Sequence, residues 1–137
     1  MRCLGIDHGE ARIGLAISDE SGTVARPLQI LKHVARETDA ATIARLATEQ
    51  EVKLIVVGLP TDEEGEIGHQ ARKVKRWAEA LRAVTSTPIE FWDESFSSQE
   101  ADSAPPKRRE ANRANDDRAA AGMLQSYLDA HRNTPTL

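Results

Sequence analysis

The sequence predicts an α/β fold, a mixed five-stranded sheet with helices on both faces. Three observations carry that expectation. The N-terminal part holds three short apolar segments joined by short turn-like stretches, which reads as an antiparallel meander. Residues 54–57, Leu-Ile-Val-Val, are continuously apolar, as a strand covered on both faces should be. An amphipathic helical stripe separates that run from the next one at 89–92. A strand–helix–strand unit of this kind is a right-handed crossover between parallel strands. Each helix and sheet face must hide its apolar side, so the elements stack in layers.

The order of elements is β-β-β-α-β-α-β-α. Residues 2–7 form the first strand. Residues 13–18 form the second, closed by the turn signal Asp19-Glu20-Ser21-Gly22. Residues 23–31 form the third, where Pro27 lacks a ladder donor and so marks an edge strand or a bulge. A first helix, capped by Thr38 or Asp39, runs to about residue 50 with Ile43, Leu46 and Ala47 inward. A polar loop with Gly65 and Gly68 follows the fourth strand. Ile67, Ala71, Val74, Ala78 and Leu81 then recur at spacings of four, three, four and three, one stripe of a helix. Trp77 borders that stripe and reads as core. After the fifth strand, a last helix spans about 115–131 with Ala120, Met123, Leu124, Tyr127 and Leu128 inward. A length of 137 residues suits a single domain with one sizeable core, residues 133–137 being a frayed tail.

Composition narrows the function classes. Hydrophobic residues make up 39% and charged residues 29%, ordinary for a globular protein. No apolar run approaches the roughly 20 residues of a membrane helix, and the N-terminus lacks a secretion signal. Cys3 is the only cysteine, which excludes an intrachain disulfide and argues against a cysteine-based zinc site. These features favour the cytoplasm, with no membrane partner. The net charge of −4 does not mark a nucleic-acid binder. Two local basic clusters run against that balance. One is Lys107, Arg108, Arg109 and Arg113; the other is Arg72, Lys73, Lys75 and Arg76. On composition alone both read as solvated faces.

The acidic residues point to chemistry. Asp7 ends the first strand in Leu4-Gly5-Ile6-Asp7-His8-Gly9, and Gly9 permits a tight exit turn. Asp93-Glu94 end the fifth strand, and Asp116-Asp117 begin the last helix. Ligands of open α/β sheets gather at the carboxyl ends of the strands, where the first two clusters meet. Both Asp116 and Asp117 lie above inward-facing positions, so helical periodicity does not choose between them. Grouped carboxylates repel unless a cation is present. Mg²⁺ and Mn²⁺ prefer such oxygen ligands. Two such ions about 4 Å apart can promote phosphodiester cleavage.

The chain resembles the YqgF/RuvX family over almost everything from Leu4 to Leu128. The residues carrying the resemblance are Gly5-Ile6-Asp7-His8-Gly9 with Arg12-Ile13-Gly14-Leu15-Ala16 and Ser18-Asp19; Ala25-Arg26-Pro27-Leu28; Ile55-Val56-Val57-Gly58-Leu59-Pro60 with Gly65 and Gly68; Asp93-Glu94; and Asp116 with Ala119-Ala120 and Leu124-Gln125-Ser126-Tyr127-Leu128. The resemblance implies a ribonuclease H-like fold and a metal-dependent nuclease. It implies catalytic metal ligands at Asp7, Glu94 and Asp116, holding one or two Mg²⁺ or Mn²⁺ ions. Counting back from Tyr127 selects Asp116 over Asp117. It also implies hydrolysis leaving a 5′-phosphate and a 3′-hydroxyl, in maturing the 5′ end of the precursor of 16S ribosomal RNA. Arg12 is then a phosphate contact or an ion-pair partner of Asp19. The segment holding Lys107, Arg108, Arg109 and Arg113 becomes a backbone clamp. His8 is a neighbour of the metal site.

Some positions depart from the family pattern. Ser95 stands where the family has arginine, and Ser97 and Ser98 where threonines are usual. Other functions stay open at this level. A four-way DNA junction could be the substrate, and a non-catalytic RNA- or polymerase-binding module would fit Ser95. An ATP-binding protein of the actin and sugar-kinase superfamily also begins with strand-Asp-x-Gly, but 137 residues cannot supply its two lobes. The sequence leaves monomer and homodimer equally open.

Overall fold

The computed structural model describes residues 1–9, 11–59, 69–93 and 116–132, apart from the side chains of His69, Gln70, Asp116, Asp117 and Arg132. The meander consists of β1 (Cys3–His8), β2 (Arg12–Ser18) and β3 (Ala25–Lys32). Then follow α1 (Arg36–Glu49), β4 (Leu54–Leu59), α2 (His69–Val84), β5 (Ile89–Asp93) and α3 (Asp116–Arg132). The strand order is β3-β2-β1-β4-β5. The β1–β2 and β2–β3 pairs are antiparallel, while β4 is parallel to both β1 and β5. The mixed five-stranded sheet expected from the sequence is thus present.

Strand alternation divides the sheet into two unlike faces. Leu4 and Ile6 of β1, Ile13, Leu15 and Ile17 of β2, and Ile55, Val57 and Leu59 of β4 point to one side. There they pack on Ile43 and Ala47 of α1 and on Ala71, Val74, Trp77, Ala78 and Leu81 of α2. Cys3, Ala16, Leu54 and Val56 point to the other side, against Ala120, Met123, Leu124, Tyr127 and Leu128 of α3. Trp77 is 2% exposed, a core residue as its place beside the stripe suggested.

Pro27 sits on the edge strand at an irregularity in register. Leu15 pairs with Gln29 and Ala16 with Pro27, so Leu28 is the extra residue of a bulge. One expectation fails at α1. The helix starts at Arg36 and its N-cap is Ala35, which makes no side-chain capping bond. Asp39 therefore lies inside the first turn and is 3% exposed. Its carboxylate is drawn inward by donors that sequence spacing does not reveal, described below.

Candidate active site

Asp7 occupies the carboxyl end of β1 on the α3 face. The alternation Cys3, Gly5, Asp7 places it there, since Leu4 and Ile6 take the opposite side. Its partner across β2 is Gly14. On β4 the last register pair is Ile6 with Val57, so Gly58 comes next beside Asp7. The carboxylate is therefore flanked on both neighbouring strands by residues without side chains. The exit turn is as tight as Gly9 suggested. Its N–H donates to Arg12 O at 2.9 Å, and a Cβ at Gly9 would lie 2.7 Å from that oxygen.

Helix α3 crosses this face antiparallel to β1. A Cβ built on Gly5 would meet Leu124 Cβ at 2.8 Å, so the helix rests almost on the strand. The C-terminal residues Tyr127, Leu128 and His131 reach the level of Met1 and Cys3 at the amino edge. Going the other way, eight helical residues from Leu124 to Asp116 cover about 12 Å. Two strand residues from Gly5 to Asp7 cover about 6.6 Å. The first turn of α3, with Asp116 and Asp117 in its backbone, thus extends to the Asp7 level and beyond.

The other sequence-selected residues divide between described and undescribed segments. Arg12 begins β2 and is exposed, at the same edge as Asp7. An Arg12–Asp19 ion pair does not form, because the two lie at opposite ends of β2. Asp19 instead holds the β2–β3 turn, accepting from Thr23 N–H at 2.8 Å, Ser21 Oγ at 2.8 Å and Val24 N–H at 3.3 Å. On β5, Ile89 and Phe91 pack on the α1–α2 side, whereas Trp92 packs with the α3 cluster. Asp93 shares the parity of Phe91 and so takes the face away from Asp7. Glu94, Lys107, Arg108, Arg109 and Arg113 lie outside the described residues, as do Ser95, Ser97, Ser98 and the tail at 133–137. Among the described residues, no three His, Cys, Asp or Glu side chains form a metal-binding group. The described side chains include only one of the three expected ligands, Asp7.

His8 turns to the face opposite Asp7. Its ring lies 4.7 Å from the Trp77 ring and 5.2 Å from that of His33, centroid to centroid. Burial first, and then the nearby His33, push its pKa below the ordinary imidazole value. Beneath it, Asp39 gathers three donors. His33 Nδ1 hydrogen-bonds one carboxylate oxygen, to which Trp77 Nε1 also donates at 3.3 Å, and Val34 N–H donates to the other at 3.2 Å. His33 N–H donates to Ala11 O at 3.0 Å, tying this cluster to the turn after Asp7. Sequence reasoning missed Asp39 as a buried hub. Its partner Trp77 is far away in the chain, and no local pattern announces it.

The amino edge of the sheet carries a cavity of about 310 Å³, lined by Cys3, Thr23, Tyr127, Leu128 and His131 among others. Asp7 stands at the other edge, so this hollow is not its site. Nearby, Tyr127 donates to Glu90, and its pKa is raised, chiefly by burial and then by that bond.

Comparison with known proteins bears on the family and the fold. The profile of the family described as "RuvX: Holliday junction resolvase" matches residues 1–130. A protein of Anaeromyxobacter sp. (strain Fw109-5) is 44% identical over 133 residues, 94% of this chain and 97% of the relative. One of Thermoanaerobacter pseudethanolicus is 39% identical over 138 residues, 97% of this chain and 99% of the relative. Both are named as candidate pre-16S rRNA nucleases. Among solved structures, T. thermophilus RuvC in complex with a Holliday junction substrate superposes with a TM-score of 0.65 at 15% identity, covering 99% of this chain and 98% of that one. The fowlpox virus Holliday junction resolvase superposes at 0.55 with 13% identity, covering 95% and 99%. At such identities the two structures show a shared, ribonuclease H-like fold. The chain belongs to the RuvX family and is a nuclease, a hydrolase of phosphodiester bonds.

Proposed function

We propose that this nuclease uses Asp7, Glu94 and Asp116 to hold one or two Mg²⁺ or Mn²⁺ ions and matures the 5′ end of the 16S rRNA precursor. The observation that carries the reading is Asp7 itself, a carboxylate at a strand end between Gly14 and Gly58, on the face that α3 covers. An all-oxygen donor set fits a hard divalent cation. Glu94 is preferred to Asp93 because Asp93 takes the α1–α2 face. Divalent cations bound there supply Lewis acidity, activating a water and neutralising charge on the leaving oxygen.

The residues of the chain do the remaining work. Gly14 and Gly58 admit the scissile phosphate next to Asp7. Arg12, on the same edge, presents a guanidinium fork that matches phosphate oxygens. Lys107, Arg108, Arg109 and Arg113 follow as contacts to the backbone of the bound strand. The products carry a 5′-phosphate and a 3′-hydroxyl. The chain acts as one domain in the cytoplasm.

Ribosomal RNA precursor is favoured over a DNA junction by similarity. The relatives named for pre-16S rRNA are 39–44% identical over nearly the whole chain, whereas the junction resolvases share 13–15%. The junction stays as the second reading because the family is described by it. Purified protein with Mn²⁺ should be incubated with labelled precursor RNA and a four-way junction in parallel. Cleavage of the RNA at its 5′ side is the expected result. Resolution of the junction alone would reverse the assignment, and cleavage of neither would leave a binding module.

A further inference from the structure

We propose that the outer face of α2 is a docking surface for a nucleic-acid duplex, formed by Arg72, Lys73, Lys75 and Arg76. The inference rests on the nuclease reading and extends it to the arm of substrate that flanks the cleavage point. All four cations are exposed, while Ala71, Val74, Trp77, Ala78 and Leu81 turn inward. Among the described residues none of the four makes an ion pair. Glu79, which stands four residues after Lys75, is engaged by Arg82 at 2.9 Å instead. Lys75 Nζ lies 5.9 Å over the Phe91 ring, which holds its stem against the sheet.

The cluster works against its own helix. Arg72–Lys75, Lys73–Arg76 and Arg72–Arg76 are like-charged pairs at helical spacings of three and four, which destabilise a helix. They persist within a chain of net charge −4. A solvated helix face with no partner gains nothing from such an arrangement. A polyanion removes the repulsion.

Position and density name the polyanion. Trp77 contacts His8 at the end of β1, so the turn of α2 before it lies at the same carboxyl edge of the sheet as Asp7, on the opposite face. From Arg72 to Arg76 the helix advances about 6 Å. A duplex presents one charge per roughly 1.7 Å of axis, three to four over that length, whereas a single strand presents about two. Four cations match the duplex.

The test is binding without cleavage, in EDTA, to a short blunt RNA duplex, a short blunt DNA duplex and a single strand of equal length. The variant Arg72→Gln/Lys73→Gln/Lys75→Gln/Arg76→Gln is compared with a control neutralising four exposed cations elsewhere, Arg26, Arg36, Arg45 and Lys53. The first variant should bind either duplex more weakly. The slope of log affinity against log salt should flatten by up to about 0.9 per lost contact. The control and the single strand should change much less, and the melting temperature of the first variant should not fall. An unchanged slope, or equal losses in the control, would overturn the proposal. A separate cleavage assay on the wild-type protein keeps the two readings apart. A patch-dependent slope without cleavage sinks the nuclease reading alone, and cleavage with an unchanged slope sinks the duplex surface alone.

Discussion

The two faces of the sheet solve different problems. The α1–α2 face is filled by Leu4, Ile6, Ile13, Leu15, Ile17 and Trp77, bulky side chains that hold two helices at a distance. Asp39, the buried acid among its described residues, is covered by donors. The α3 face mixes small residues, Cys3, Gly5, Ala16 and Ala120, with Leu54, Val56, Met123, Leu124, Tyr127 and Leu128, and at Gly5 it brings a single helix close. There the acid at the strand end, Asp7, lies between glycines. The contrast teaches that one face closes around its acid, while the other leaves Asp7 at a strand end beside a closely packed helix. The following predictions test that division.

The largest effect is expected at Asp7. Asp7→Asn should reduce Mn²⁺-dependent cleavage by at least about 10³-fold, the scale of one electrostatic contact made to the transition state. Its melting temperature should stay near that of the wild type. Cleavage within tenfold of the wild type would remove the α3 face from the chemistry.

On the opposite face the expected outcome is inverted. Asp39→Ala leaves the Val34 N–H, the His33 ring and the Trp77 indole without their acceptor. That should destabilise the fold by about 3 kcal/mol, seen as a lower urea midpoint. Asp39→Asn retains an oxygen acceptor and should recover part of the loss. Below the melting range, cleavage by both variants should remain within a few-fold of wild type. A selective loss of turnover would show that the His33–Asp39 cluster reaches Asp7 through the Ala11 turn, and the division of labour would fail.

Gly5→Ala probes the α3 face without touching an acid. The new methyl would lie 2.8 Å from Leu124 Cβ, an atom too close to the helix axis to rotate away. Helix α3 must shift, at a cost of about 1–3 kcal/mol in stability. Because Asp116 begins that helix, cleavage should fall as well. Gly122→Ala is the control, since a Cβ there meets nothing within 4 Å. Equal behaviour of the two variants would mean that the close approach of α3 is incidental.

Much of this division was legible in the sequence, for reasons of period. Alternation of two and of three to four exposed the strands, the inward stripe of α2 and the inward residues of α3. Gly9 beside Asp7 announced the tight turn. What was not legible depends on contacts distant in the chain. Thr38 or Asp39 looked like a cap because both residue types cap helices, yet Asp39 is pulled inward by Trp77 from α2. Asp93 takes the face away from Asp7, which requires knowing that Phe91 packs on the α1–α2 side. Arg12 and Asp19 looked close in sequence, but a seven-residue strand sets them about 20 Å apart. Gly14 and Gly58 were visible as residues, while their place on either side of Asp7 emerged from strand order.

The smallest predicted effect lies farthest from the site, at the turn after β2. Asp19 is lowered to about 2, first by the Thr23 N–H, then by the Ser21 hydroxyl and the Val24 N–H. A carboxyl with a folded-state pKa below its ordinary value near 3.8 stabilises the fold above that value. The contribution is lost as pH falls through about 2. Asp19→Asn should therefore melt slightly below the wild type at pH 7. The gap should narrow below pH 4 and close near pH 2. The group is fully exposed, so the gap should be small, but it should survive added salt better than an ion pair would. Cleavage at pH 7 should be unchanged, because this turn adjoins the start of β1 rather than its end. A gap that persists at pH 2 would mean that the side-chain shape of Asp19, not its charge, holds the turn.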